Sequence, residues 1–445
     1  MPIARSLEWW RPEDSRERWP LARPRTVEVP PASDRVAFVA LMFFTLVLLL
    51  APQLLLPSLA PLHLAMVAGC VAIAANLVSR LSRASASVAI ATEVWIAFGL
   101  ALWAVLSAPL SLWPSGSVGF LFDPFAKSLI LFWLLSSAVV TIGRVRCTAW
   151  LLALITVPLA LTGLWHLLSG VFLPGGAAAG YGRIAGYEAP LTANPNDLAL
   201  MLNLILPLGV ALLLSERRWA LKVLAVAVVT LSVFAIIATF SRGGFLTLMT
   251  VCIAYMVRLS GRHRVVYCLP LILLLCLPLL PSGYLDQMGT ITSLGADPTG
   301  SAAERLTDLM AAGRLVQASP LTGVGVGMNA LAMNAERGTT WRMVHNVYLQ
   351  IAVELGIPGL IVFLVLLVRT IRKAGTARLT AARTGNGRTA FRLAEALQIS
   401  LIAFAVAALF HPIGYNFYFY YIAGMSLGIG TAIRANATRG EATVA

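Results

Sequence analysis

The sequence predicts an all-α integral membrane protein with about twelve transmembrane helices and a long, partly helical loop before the tenth. Three observations carry this. Hydrophobic residues make up 59% of the 445-residue chain and charged residues only 12%, with a mean hydropathy of +0.83. That balance leaves too little polar surface for a soluble protein of this size. Apolar runs of about 20 residues, the length that crosses a bilayer as a helix, recur throughout, and the alternating pattern of an outer-membrane barrel is absent. The basic residues are also distributed unevenly among the segments between those runs.

Residues 1–35 mix charges with prolines and carry no apolar core, so they read as a solvated cytoplasmic tail rather than a signal peptide. Nine spans are expected within 36–281, near 36–56, 61–79, 87–108, 124–142, 148–169, 195–214, 220–240, 244–258 and 265–281. A loop follows at 282–346. Three further spans lie within 347–433, near 347–368, 393–411 and 416–433, and 434–445 forms a second tail. The eighth span is short and depends on a tight boundary at Ser241-Arg-Gly-Gly244.

With both tails in the cytoplasm, 26 of the 33 Lys and Arg residues fall on cytoplasmic segments. The other side keeps Lys127, Arg183, Arg242, Arg305, Arg314, Arg337 and Arg342. This asymmetry follows the positive-inside rule and places 282–346 outside the cytoplasm. The net charge of +14 therefore reports topology and contact with anionic membrane lipids. No basic stripe with interleaved aromatics points to nucleic acid. The five cysteines all lie in spans or near the cytoplasmic side, so no disulfide framework is expected in the outer loops.

The outer segments carry the polar motifs. Asn194-Pro-Asn196-Asp197 is a turn and N-cap signal for the sixth span, with Asn194 or Asn196 as the cap. Upstream, Arg183 sits in a Gly-rich loop, where it either contacts a phosphate or pairs with Glu188. In Phe240-Ser-Arg-Gly-Gly244 the glycines are expected to permit the tight turn. Arg242 there either snorkels to lipid headgroups or presents a fixed guanidinium to a lipid-linked phosphate. Ser301-Ala-Ala-Glu304 fits a capping box for a helix lying on the outer membrane face, ended by Pro320 and Gly323-Val-Gly-Val-Gly327. Arg305 and Arg314 should point to opposite faces, with Arg305, at the helix start, the better anion donor. The glycine run is not a nucleotide loop, since no strand precedes it and no Lys-Ser/Thr follows.

The last outer segment leads into the tenth span through Arg342-Met-Val-His345-Asn346-Val-Tyr348, continuing to Gly356-Ile-Pro-Gly359. An arginine, a histidine and amides at the mouth of a span are costly unless used, so chemistry is expected there. His345 is the candidate catalytic residue, with Asn346 and Tyr348 supporting it. Glu354, nine residues on, should face away from it. His63, His166, His263 and His411 are poorer candidates, and the aromatics from Tyr415 to Tyr421 read as an interfacial belt.

Taken together, His345-Asn-x-Tyr-Leu-x5-Gly356-x-x-Gly359, Pro320-Leu-Thr-Gly-Val-Gly325, Ser241-Arg-Gly and Asn194-Pro-Asn-Asp resemble the bacterial O-antigen ligase and O-antigen polymerase superfamily, closest to the ligases. The resemblance implies a GT-C-type membrane glycosyltransferase in the bacterial inner membrane with its active site facing the periplasm. It further implies transfer of a glycan from undecaprenyl pyrophosphate to the lipid A–core oligosaccharide. A polymerase of repeat units, an exopolysaccharide or protein O-glycan relative, and a non-enzymatic transporter are the alternatives. The family's external arginines would correspond to Arg183, Arg242 and Arg305 as pyrophosphate ligands, its loop histidine to His345, and Arg342 is added by proximity.

The chemistry suits these residue types. The donor is already activated, so the protein must stabilise the leaving pyrophosphate and activate an acceptor hydroxyl. Arginines in a water-poor site do the first without a metal. A histidine kept neutral at a helix N-terminus does the second as general base, typically contributing ~10²–10⁴-fold. Direct displacement would invert the anomeric centre. The outer acids are scattered, with no Asp-x-Asp or His-x-x-x-His spacing, so neither a metal nor any other cofactor is expected.

Overall fold

The computed structural model describes residues 32–82, 90–172, 184–259, 289, 301–338, 341–384 and 387–444. Fourteen helices are named here in chain order: α1 (Ala32–Leu50), α2 (Leu64–Ser82), α3 (Thr92–Ser107), α4 (Pro114–Phe120), α5 (Ala126–Ala138), α6 (Ile142–Ser169) and α7 (Pro195–Ser215). These are followed by α8 (Trp219–Ala238), α9 (Arg242–Leu259), α10 (Ser301–Ala318), α11 (Asn329–Arg337), α12 (Val347–Arg383), α13 (Gly387–Ala407) and α14 (Phe417–Val444). A π-helical turn at Leu121–Phe125, containing Pro124, joins α4 to α5. The chain is thus an all-α membrane protein. Among the described residues nine helical segments are long and apolar enough to cross a bilayer, and the one β pairing is an isolated bridge between Phe172 and Ile184. The span expected at 265–281 lies outside the described residues.

Two helices form the centre. α7 and α13 are buried nearly all round and pack against each other. A helix that is hydrophobic on every face belongs inside a bundle. α8 packs on α7 and α6, α9 packs on both α7 and α13, α12 packs on α13, and α14 lies against α5 and α12. At one end of the bundle, acids taken out of water are paired with arginines: Arg144 with Asp34 at 2.9 Å, Arg369 with Glu93 at 3.0 Å, and Arg392 with Glu395 at 2.7 Å. His345 and the helices α10 and α11 lie at the other end, where α10 packs on both α11 and α12.

α12 contains the fold's main irregularity. Gly356, at φ 69° and ψ −175°, breaks it into two helical pieces. The break frees carbonyls that would otherwise be bonded within the helix, and each finds another donor. Val324 N–H donates to Val353 O at 2.8 Å, Gly325 N–H to Glu354 O at 3.0 Å, and the Trp103 indole to Leu355 O at 2.8 Å. In return Ile357 N–H donates to Pro320 O at 2.8 Å. Buried backbone groups must be satisfied somewhere, and the Gly323–Gly327 run satisfies two of these carbonyls, those of Val353 and Glu354. It therefore docks into the helix break as well as ending α10.

Two expectations are corrected. The turn before α9 is made by Phe240, at φ 51°, and not by Gly243 or Gly244, which lie inside the first turn of the helix. A Cβ on Gly244 would stand 2.7 Å from Ala199 Cβ, so this glycine allows α9 to approach α7. The aromatics from Tyr415 to Tyr421 are not an interfacial belt. Tyr415, Phe419 and Tyr420 are fully buried and stack edge-on with Phe125, Phe132 and Phe363, forming core rather than membrane rim.

Candidate functional site

The tip of the bundle is built from helix starts. Asn194 caps α7, its Oδ1 accepting from Asn196 N–H at 2.8 Å. The Ser241 hydroxyl donates to Asn196 Oδ1 at 2.8 Å and accepts from Gly244 N–H at 3.1 Å, which ties the start of α9 to the start of α7. Arg242 is the first residue of α9. His411, from the α13–α14 connection, closes this junction. Its Nε2 lies 3.3 Å from Asn196 O and its Nδ1 3.0 Å from Ala407 O, and a Cβ on Gly243 would stand 3.5 Å from its ring.

The third helix start belongs to α12. Asn346 is the cap, its Oδ1 accepting from Leu349 N–H at 3.1 Å while its amide donates to Leu409 O at 3.4 Å. Val347 N–H donates to Ala408 O at 2.7 Å, and Gly414 N–H donates to the buried Gln350 at 3.1 Å. The Tyr348 hydroxyl donates to Ala405 O at 2.7 Å. Asn346 and Tyr348 thus bind α12 to α13 and to the segment that carries His411. Three N-termini, each with its positive dipole end, meet at this end of the molecule.

His345 immediately precedes the cap. It is half-buried, and its Nδ1 is enclosed with no partner in hydrogen-bonding geometry. Burial and the Arg305 charge lower its pKa from the ordinary 6.5, opposed by the Met343 carbonyl and Asp308, so the neutral form is favoured. His411, only 3% exposed, is lowered chiefly by the same burial. Its two neighbouring carbonyls oppose this, and Arg305 and His345 add to the lowering. Arg305, His345 and His411 therefore form one electrostatic cluster.

The expected residues separate by their surroundings. Arg305 is half-buried on α10 and acts on both histidines, whereas Arg314 pairs at the surface with Glu336 at 3.0 Å. Arg342 forms a two-pronged ion pair with Glu304, one bond at 3.0 Å, both side chains being partly exposed. The pair lowers the carboxyl pKa and raises that of the guanidinium. Arg183 lies outside the described residues, and its suggested partner Glu188 is exposed. Among the described residues no group of three His, Cys, Asp or Glu side chains could hold a metal ion.

Three residues of this end have a larger part than the sequence assigns them: His411 and Glu354, which it set aside, and Asn329, which it did not mark. His411 was hidden by the aromatic run beside it. Glu354 does not touch His345, yet it is fully buried and accepts from the Asn329 side-chain amide and from Asn329 N–H at 3.3 Å. Asn329 Oδ1 in turn accepts from Val344 N–H at 3.1 Å. An acid within an apolar run was the available signal for Glu354; nothing local marks Asn329.

No curated protein matches the chain. Residues 226–364 match the family model described as O-antigen ligase. The matched segment takes in Arg242, Arg305, the Gly323–Gly327 run, His345 and the break at Gly356, and stops short of His411. Over residues 226–364, then, the chain is similar to the O-antigen ligase family, and this segment holds most of the polar residues described above.

Proposed function

We propose that this protein transfers a glycan from undecaprenyl pyrophosphate to the lipid A–core oligosaccharide at the periplasmic face of the bacterial inner membrane. The family match supports activity of the O-antigen ligase or polymerase type. The observation that carries the specific reading is the clustering of Arg305 with a half-buried, neutral-leaning His345 beside three helix N-termini. Arg305 and Arg242, with Arg183 and Arg342, stabilise the leaving pyrophosphate, and helix N-termini favour the same anion. His345 takes the proton of the acceptor hydroxyl, whose oxygen attacks the anomeric carbon as the bond to the pyrophosphate oxygen breaks. The product is inverted, and no step calls for a metal.

In this reading residues 1–35 and 434–445 are cytoplasmic, 282–346 is periplasmic, and the arginine-paired acids line the cytoplasmic end. The test is the lipopolysaccharide of a deletion strain. Rough lipopolysaccharide with polymer retained on its lipid carrier is the expected result. A single repeat capped on core would instead make the protein a polymerase.

A further inference from the structure

Glu354 is a carboxylate with 0% exposure inside the apolar first piece of α12. Burying such a group is costly unless it is used in hydrogen bonding. One oxygen, Oε1, accepts both the backbone N–H and the side-chain amide of Asn329. The Tyr415 hydroxyl neighbours the carboxyl group, and neither Oε2 nor that hydroxyl has a partner in hydrogen-bonding geometry. The backbone that carries this side chain is also held, the Glu354 carbonyl accepting from Gly325 N–H at 3.0 Å in the helix break.

Asn329 uses the other end of its amide on Val344 N–H, while Val344 O accepts from Asn346 N–H at 2.9 Å. Val344 is thus held at both its N–H and its carbonyl, and Asn346 is fixed by its own bonds to Leu349 and Leu409. His345 sits between these two anchored residues. The preceding backbone needs such anchoring, since Trp341 adopts φ 49°, which a non-glycine residue rarely holds without support.

We infer that Glu354 is a positioning residue for His345, acting through Asn329 to set the backbone that aims the imidazole; this rests on His345 being the general base proposed above. The Glu354–Asn329 pair fixes Val344, and Val344 fixes the ring that follows it. Catalytic geometry is sensitive to such supports, and a displacement of about 1 Å can cost roughly 10²-fold in rate.

The experiment uses the full-length protein in lipid nanodiscs, with Glu354→Leu, Glu354→Gln, Asn329→Leu and His345→Ala variants. Two quantities are read: kcat and donor KM for transfer, and the pH midpoint for diethylpyrocarbonate modification of His345, followed by mass spectrometry without substrate. Glu354→Leu and Asn329→Leu should each lower kcat about 10²-fold with donor KM little changed. Both should also raise the His345 midpoint towards the ordinary 6.5, as the loosened ring gains water. The charges that bear on His345, namely Arg305, Asp308, Arg342 and the neighbouring His411, are the same in every variant.

Glu354→Gln should keep both readouts near wild type. Its amide oxygen accepts the same two bonds, and its NH₂ can donate to the Tyr415 hydroxyl. A lower kcat with an unmoved midpoint would overturn the inference, because a loss of folded protein scales the rate at every pH and leaves the midpoint in place. Wild-type behaviour of Glu354→Leu would overturn it as well. If Glu354→Leu does not fold, Asn329→Leu carries the same prediction. Should His345→Ala transfer at the wild-type rate, the base assignment fails, while the substrate-free midpoint still decides whether Glu354 positions the ring.

Discussion

Replacing Gly356 with alanine tests the helix break on which the tip of the molecule depends. At φ 69° and ψ −175° the residue occupies a region that is essentially glycine's alone, costing any other residue about 1–3 kcal/mol. The added Cβ would stand 2.2 Å from Leu321 O and 2.7 Å from Pro320 O, well inside contact distance. Relieving this moves the Pro320–Leu321 carbonyls and strains the bond from Ile357 N–H to Pro320 O at 2.8 Å. A buried group left unpaired costs about 1–3 kcal/mol. The stiffer unfolded chain returns about 0.4–1 kcal/mol, so the net loss is about 1–6 kcal/mol.

The assay is thermal unfolding of the nanodisc-embedded protein together with transfer activity. Gly313→Ala is the control, since a Cβ there meets nothing within 4 Å and alanine favours a helix. Gly356→Ala should lower the apparent melting temperature and reduce transfer, because the displaced Gly323–Gly327 run leads directly to Asn329 and so to His345. A Gly356→Ala protein that melts and transfers like wild type would refute the account of the break.

Other outcomes follow from the same geometry. His345→Ala should lower kcat by ~10²–10⁴-fold with little change in donor KM. Because burial and Arg305 lower the His345 pKa, the base form should persist below pH 6.5, and kcat should fall only as pH drops through that lowered value. An acid limb at or above 6.5 would contradict this. Asn346→Ala removes a helix cap and should cost about 1 kcal/mol of stability, visible as a lower melting temperature. The partly exposed Arg342–Glu304 pair should contribute less than about 1 kcal/mol. Arg342→Ala but not Glu304→Ala should therefore raise donor KM if Arg342 holds pyrophosphate, and equal effects would make the pair structural. Transfer should continue in EDTA; loss that Mg²⁺ restores would count against a metal-free reaction.

Much of the bundle was legible because membrane spans announce themselves. A helix must satisfy its own backbone in lipid, so each span is a local, continuous apolar run; α7, α8 and α9 begin and end close to where the sequence places them, whereas α3 begins later and α6 earlier than expected. The caps were legible for a similar reason: Asn194 acts on its immediate neighbours, whose spacing is visible in the chain. Tyr415 to Tyr421 show where this fails, since a belt and a core have the same composition and differ only in what surrounds them. The glycines of Ser241-Arg-Gly-Gly244 were read as turn residues, yet their use is the approach of α7 and His411, two partners distant in sequence.

By itself, the sequence determined the all-α membrane class and singled out Arg305 and His345, because hydropathy and a polar residue at a span mouth are local properties. Only the tertiary structure decided that Arg305 acts on His345, that His411 joins them, and that Arg342 is engaged with Glu304. It alone linked Glu354 to Val344 through Asn329. The physical reason is that Coulomb forces and hydrogen bonds depend on distance in space, and residues as far apart in the chain as Asn196 and His411 become neighbours only when the helices pack.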